Sequence, residues 1–170
     1  MKIYVSALTT VRQAVIDFAP SSIISFVDQL SAKPFFLHYD KNTHLALEFN
    51  DIHLNINHIN DTQRIACARL IQFLTNHRAH SPLLIHCTLG ISRSTAAAYI
   101  ALNLHHQNQE FETAQYLREK IPYAIPNSSL IAIADTLLGR NGRMQSAISL
   151  LSEPKMQEVG GCKMLSTDFL

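Results

Sequence analysis

The stretch His86-Cys87-Thr88-Leu89-Gly90-Ile91-Ser92-Arg93-Ser94 decides the reading of this chain. It sets a cysteine and an arginine on one short loop, with five residues between them. The run Pro82-Leu83-Leu84-Ile85 leads in and reads as a buried strand bounded by turn signals. The run Ser94 to Leu104 leads out and is apolar almost all round, which predicts a central, buried helix. A loop between a strand and a helix N-terminus gathers backbone N–H groups into a concave anion site. Cys87 puts a sulfur at the base of that site, and Arg93 supplies a planar fork that matches phosphate oxygens in pairs. Gly90 sits mid-loop, where the backbone must turn and face the anion. A nucleophile inside an oxyanion cradle implies phosphoryl transfer through sulfur.

Working outward, apolar runs and breakers alternate. Strands are expected over Ile3–Leu8, Ser22–Val27, His44–Phe49 and Leu83–His86. Helices are expected from Thr9 or Thr10 to Phe18, where Pro20 stops the run, and from Asp61 to near His80, where Ser81-Pro82 breaks it. Further helices follow over Glu110–Lys120, Asn127–Leu138 and Met144–Leu151. Ser31–Pro34 and the asparagine-rich stretch from Asn50 to Asn60 read as loops. Strands alternating with helices predict an α/β fold, a mostly parallel central sheet of about four strands flanked by helices. Ligands of such sheets bind beyond the carboxyl ends of the strands, which is where the Cys87 loop falls. Residues 1–152 read as a single domain and 153–170, polar and glycine-containing, as a loose C-terminal tail.

Composition agrees with a soluble enzyme and excludes other classes. Of 170 residues, 47% are hydrophobic, enough for a core, and the net charge of +1 carries no basic surplus for nucleic acid. No polybasic cluster suggests an anionic membrane surface, and no segment has the roughly 18–20 apolar residues of a spanning helix. Met1–Leu8 is too short an apolar run for an export sequence. Three widely spaced cysteines, Cys67, Cys87 and Cys162, form neither a disulfide framework nor a paired metal motif, so free thiols in a reducing cytoplasm are expected. Cys67 falls on the apolar face of its helix and reads as core, Cys162 as an exposed thiol. The nine histidines are scattered, and His105-His106 lacks the spacing of a helical ligand pair. No cofactor or metal is expected.

His86-Cys87-x5-Arg93-Ser94 resembles the signature loop of the protein tyrosine phosphatase and dual-specificity phosphatase superfamily. Tyr123-Ala124-Ile125-Pro126-Asn127 before an apolar helix is similar to the proline-asparagine segment of compact dual-specificity enzymes. The arrangement from Ile3 to Arg143 is similar to small bacterial tyrosine phosphatases with Gly-Ile-Ser-Arg-Ser loops. The resemblance implies a Cys87 nucleophile forming a phosphocysteine intermediate. It implies that Arg93 and the N–H groups of Thr88, Leu89, Gly90, Ile91, Ser92 and Arg93 hold the phosphate oxygens, and that Ser94 helps the thiolate leave. A free thiol, with a pKa of about 8.5, needs such donors to ionise near neutrality. His86 would orient the loop, and Asn127 would brace it or cap the helix it begins. The expected partner is a phosphotyrosine-containing or otherwise phosphorylated protein. Phosphoinositide-directed relatives usually carry lysines in this loop, where Thr88, Leu89, Ile91 and Ser92 are uncharged.

The leaving oxygen needs a proton, which a carboxylic acid from another loop would supply. Asp51, 36 residues before Cys87 and just past a strand, fits the family spacing best. Asp61, 26 residues before it in Asn60-Asp61-Thr62-Gln63, is the second candidate, with helix capping as its competing role. His53 and His58 flank the Asp51 loop and read as surface residues. Two other functions compete. A non-catalytic phosphate-reading module needs no nucleophile. An arsenate reductase needs a resolving cysteine, for which Cys67 and Cys162 are not obviously placed.

Overall fold

The structure, a computed structural model, describes residues 1–27, 39–40, 42–49, 60–77 and 81–169. Five strands are described: β1 (Lys2–Ala7), β2 (Ser22–Val27), β3 (His44–Glu48), β4 (Leu83–Cys87) and β5 (Lys163–Ser166). Six helices join them: α1 (Val11–Phe18), α2 (Asp61–Asn76), α3 (Arg93–His105), α4 (Glu110–Lys120), α5 (Ser128–Leu137) and α6 (Arg143–Ser149). The sheet runs in the order β3-β2-β4-β1-β5. Its first four strands are parallel and β5 is antiparallel to β1, so the expected parallel core of four strands is present with one strand added.

Side-chain alternation sorts the strands into two faces. Ile3, Val5, Ile24, Phe26, Leu83 and Ile85 join the large core beneath α2 to α6, while Tyr4, Ile23 and Leu84 meet Val11 and Ala14 of α1 on the other face. The chain leaves adjacent strands β1 and β4 toward opposite faces, into α1 and α3 respectively. Such a divergence opens a crevice at the carboxyl ends of the strands, and the 87–93 loop occupies it. Helix α3 is the buried axis that its uniformly apolar sequence predicts, with every residue from Arg93 to Asn103 buried.

Local chemistry sets the helix entries. Asn60, not Asp61, caps α2: its side chain accepts from Gln63 N–H, and the Gln63 side chain accepts from Asn60 N–H at 3.1 Å. This reciprocal capping box leaves Asp61 as the first helical residue, exposed and beside the positive end of the helix. Thr10 occupies the α1 cap position without capping it; its hydroxyl bonds Ala7 O at 3.3 Å and lies 2.9 Å from Ser6 Oγ.

The expectation of a loose tail is corrected. Residues 163–166 pair with β1, with Leu165 opposite Ile3, and Leu165 is fully buried. Upstream, Lys155 N–H donates to Pro122 O at 2.9 Å. The polar look of the segment follows from its position: an edge strand buries only alternate side chains, and β5 buries Leu165 while Lys163 and Met164 stay exposed. Cys162 is likewise half-buried against the α1-side cluster, and burial pushes its thiol up to about 11. Leu165→Ala is expected to lower stability by about 2–5 kcal/mol, the range for emptying a buried leucine site. Thermal or urea melts check this, and an unchanged midpoint would mean that β5 does not belong to the cooperative unit.

Candidate active site

Strand β4 ends at Cys87 and α3 begins at Arg93, so the loop is a five-residue bridge between two buried elements. Cys87 is 1% exposed, with its sulfur at the floor of the loop. Gly90 N–H donates to Cys87 Sγ at 3.2 Å, and Ser94 Oγ lies 3.2 Å from the same sulfur. The Arg93 guanidinium is also buried; it donates to Thr88 Oγ1 at 2.9 Å and to the Phe49 carbonyl at 3.1 Å.

The backbone of the loop is held from outside. Thr88 O accepts from Leu8 N–H at 3.2 Å, and Leu89 O from Gly160 N–H at 2.8 Å. Ile91 O accepts from Ile125 N–H at 3.0 Å, and Ser92 O from Asn127 N–H at 3.3 Å. Thr95 Oγ1 adds bonds to the Ile91 and Ser92 carbonyls. In a planar trans peptide the C=O and N–H point opposite ways. Fixing these carbonyls outward therefore turns the N–H groups of Leu89, Gly90, Ser92 and Arg93 into the cup. Gly90 takes φ +70, and a Cβ there would lie 2.7 Å from the Ala7 backbone nitrogen, so conformation and space both require glycine.

The structure brings Cys87, Thr88, Gly90, Arg93 and Ser94 together. Leu89 is 44% exposed at the rim, and Ile91 is buried in the core, so these two contribute backbone rather than side chain to the cup. Asn127 Oδ1 accepts from Leu130 N–H at 2.9 Å and caps α5, while its own backbone N–H braces Ser92. Asp51, His53 and His58 lie outside the described residues. Asp61 starts α2; because α2 joins the parallel strands β3 and β4, that end lies at the same end of the sheet as Cys87. A separate cleft lined by Ser22, Asn42, Arg69 and His77 opens at the opposite end of the strands and includes none of the residues around Cys87.

His86 points to the α1 face, behind the cup. Ser6, His86 and Ser25 stand side by side across β1, β4 and β2. His86 Nε2 lies 2.7 Å from Ser25 Oγ, which lies 2.8 Å from His44 Nε2. Burial first, then the nearby His44 and Arg93, push His86 down to about 4, and burial also lowers His44. A neutral imidazole is thus locked under the β4 exit. Sequence reading missed Ser25 and His44 because strand pairing, not sequence spacing, puts them beside His86. It also missed Gly160, whose one sequence signal was the Gly160-Gly161 pair.

The architecture is the fold of tyrosine and dual-specificity phosphatase domains. Among solved structures, the chain is similar to the Yvh1 phosphatase domain from Chaetomium thermophilum, at TM-score 0.60 and 17% identity over 84% of this chain and 93% of that one. It is similar to the Cydia pomonella PTP-2 phosphatase at TM-score 0.62 and 16% identity, covering 95% of this chain and 92% of that one. It is also similar to DUSP15 at TM-score 0.59 and 16% identity, covering 89% and 93%. No family model and no curated protein sequence matches the chain. No described helix is long and apolar enough to cross a membrane.

Two outcomes follow for the site's stability. Gly90→Ala is expected to cost about 2–4 kcal/mol, from the left-handed backbone and the contact with Ala7, measured by urea unfolding. Because the folded pKa of His86 lies below that of a free histidine, its contribution to stability is full above about pH 6.5. That contribution, up to about 3 kcal/mol, is lost as pH falls toward about 4. Urea melts between pH 7 and 4 should show this slope, and His86→Gln should flatten it; equal slopes would place the titration elsewhere.

Proposed function

We propose that the chain is a phosphatase that hydrolyses phosphomonoesters on proteins, phosphotyrosine or mixed phospho-residues, through a phosphocysteine intermediate. The observation that carries the reading is the sulfur of Cys87 set between the Gly90 N–H and the Ser94 hydroxyl, each at 3.2 Å, with Arg93 anchored beside it. A phosphate-reading module would need the cup but not a sulfur at its floor.

In the first step the Cys87 thiolate attacks phosphorus in line. The S–P bond forms, the P–O bond to the leaving group breaks, and the leaving oxygen takes a proton from a carboxylic acid. Charge spread over the equatorial oxygens is met by the inward N–H groups and Arg93, donors already in position before reaction. In the second step water attacks the phosphocysteine, giving its proton to the carboxylate, and the thiolate leaves toward the Ser94 hydroxyl. Neutral loop side chains suit a singly phosphorylated side chain better than a multiply charged head group.

Asp51 is the proposed acid. Phe49 O accepts from the Arg93 guanidinium, and Asp51 follows Phe49 by two residues in the sequence. Asp61 begins a helix whose cap is Asn60, and it is the comparison residue.

Purified protein is expected to hydrolyse an aryl phosphate in the presence of EDTA and to be blocked by vanadate. Cys87→Ser should abolish turnover, and Arg93→Lys should lower kcat by about 10²–10³-fold. Asp51→Asn should lower the rate on a poor leaving group by about 10²–10⁴-fold, with Asp61→Asn near wild type. Turnover surviving Cys87→Ser would remove the nucleophile, and the reverse order of the two aspartate variants would move the acid to Asp61. A phosphopeptide panel then reads the preference among tyrosine, serine and threonine.

A further inference from the structure

We infer that the carboxyl-terminal segment is a working part of the phosphate cup, and that Gly160 is a positioning residue acting on the Cys87 sulfur through one peptide plane. The path has two hydrogen bonds. Gly160 N–H donates to Leu89 O at 2.8 Å. The N–H on the other side of that same peptide group belongs to Gly90, and it donates to Cys87 Sγ at 3.2 Å. The group is rigid and planar, so a tilt at its carbonyl end is a tilt at its N–H end. Polarisation of the carbonyl by Gly160 also strengthens the N–H as a donor to a thiolate.

The neighbourhood of Gly160 is built for this contact. Gly160 is buried, yet it does not take the positive φ that demands glycine. Space demands it instead: a Cβ would lie 2.8 Å from Gly90 O, 3.0 Å from the Tyr123 ring and 3.1 Å from Leu89 O. Tyr123 Oη donates to Gly161 O at 3.2 Å, pinning the tail on its far side. Tyr123 also begins the stretch that braces the loop through Ile125 and Asn127. Beyond Gly161 the chain enters β5 and joins β1, the strand beside β4. The tail thus holds the loop at Leu89, between Thr88, held by Leu8 after β1, and Ile91 and Ser92, held by Ile125 and Asn127.

Gly161 supplies the control. It is adjacent, has no positive φ, and a Cβ there meets nothing within 4 Å. Gly160→Ala and Gly161→Ala are thus the same chemical change one residue apart, and only the first presses on the Leu89–Gly90 peptide.

The test is the pH profile of Cys87 alkylation by iodoacetamide, read by mass spectrometry of the Cys87 peptide in the full chain. Gly160→Ala is expected to raise the midpoint by about one pH unit, so that alkylation well below the midpoint slows about tenfold. Gly161→Ala should superimpose on wild type. Tyr123→Phe, which only unpins the tail, should move the midpoint the same way by less. Wild-type midpoints in both Gly160→Ala and Tyr123→Phe would overturn the inference, even if melting temperatures fall. Should Gly160→Ala not fold, Tyr123→Phe decides alone. The inference rests on Cys87 being the nucleophile, yet alkylation reads the thiol directly. Absent turnover in the wild-type protein would remove the phosphatase reading and leave this comparison standing.

Discussion

The outward anchoring of the loop carbonyls is the constraint on which the site depends. Five residues must turn from a strand into a helix and present their N–H groups to one point. Left alone, such a loop has many conformations, and ordering it costs about 1–2 kcal/mol of backbone entropy per residue. Four surrounding segments offset that cost by binding its carbonyls: the end of β1, the 125–127 stretch, the first turn of α3 and Gly160. Each peptide group so held turns its N–H inward. The cup of inward N–H groups is thus a by-product of where the carbonyls go.

Sheet order makes those partners available. Cys87 leaves the sheet between β1 and β2, at the divergence of α1 and α3. Arg93 could not be buried without partners, because an isolated buried charge is costly. It has Thr88 on its own loop and the backbone of Phe49 from across the sheet. That second bond ties Arg93 to the residue that follows β3. Behind the cup, burial keeps His86 neutral and the bond to Ser25 holds it in place, so the residue before Cys87 supports β4 without adding charge beside the sulfur.

Much of this was legible in the chain itself. The apolar run before Cys87 and the featureless apolar run after Arg93 could only be a buried strand and a buried helix. The loop between them then had to fall at the carboxyl end of a parallel sheet. The capping of α2 was harder, because Asn60 and Asp61 are adjacent and both cap well; the Gln63 side chain decided for Asn60 by reaching back to its N–H. The C-terminal strand was illegible because an edge strand with one buried residue in four has almost no hydrophobic signature.

What the sequence determined by itself is what rests on local order: which residues form β1 to β4 and the helices, and that Cys87, Gly90, Arg93 and Ser94 share one strand-to-helix turn. What only the tertiary structure decided is what rests on contacts between distant residues. Ser25 and His44 stand behind His86 because of strand register, and Gly160 meets Leu89 because β5 returns to β1. Backbone hydrogen bonds of that kind use groups that every residue carries, so no side chain announces them, and only the folded chain shows which carbonyl each N–H finds.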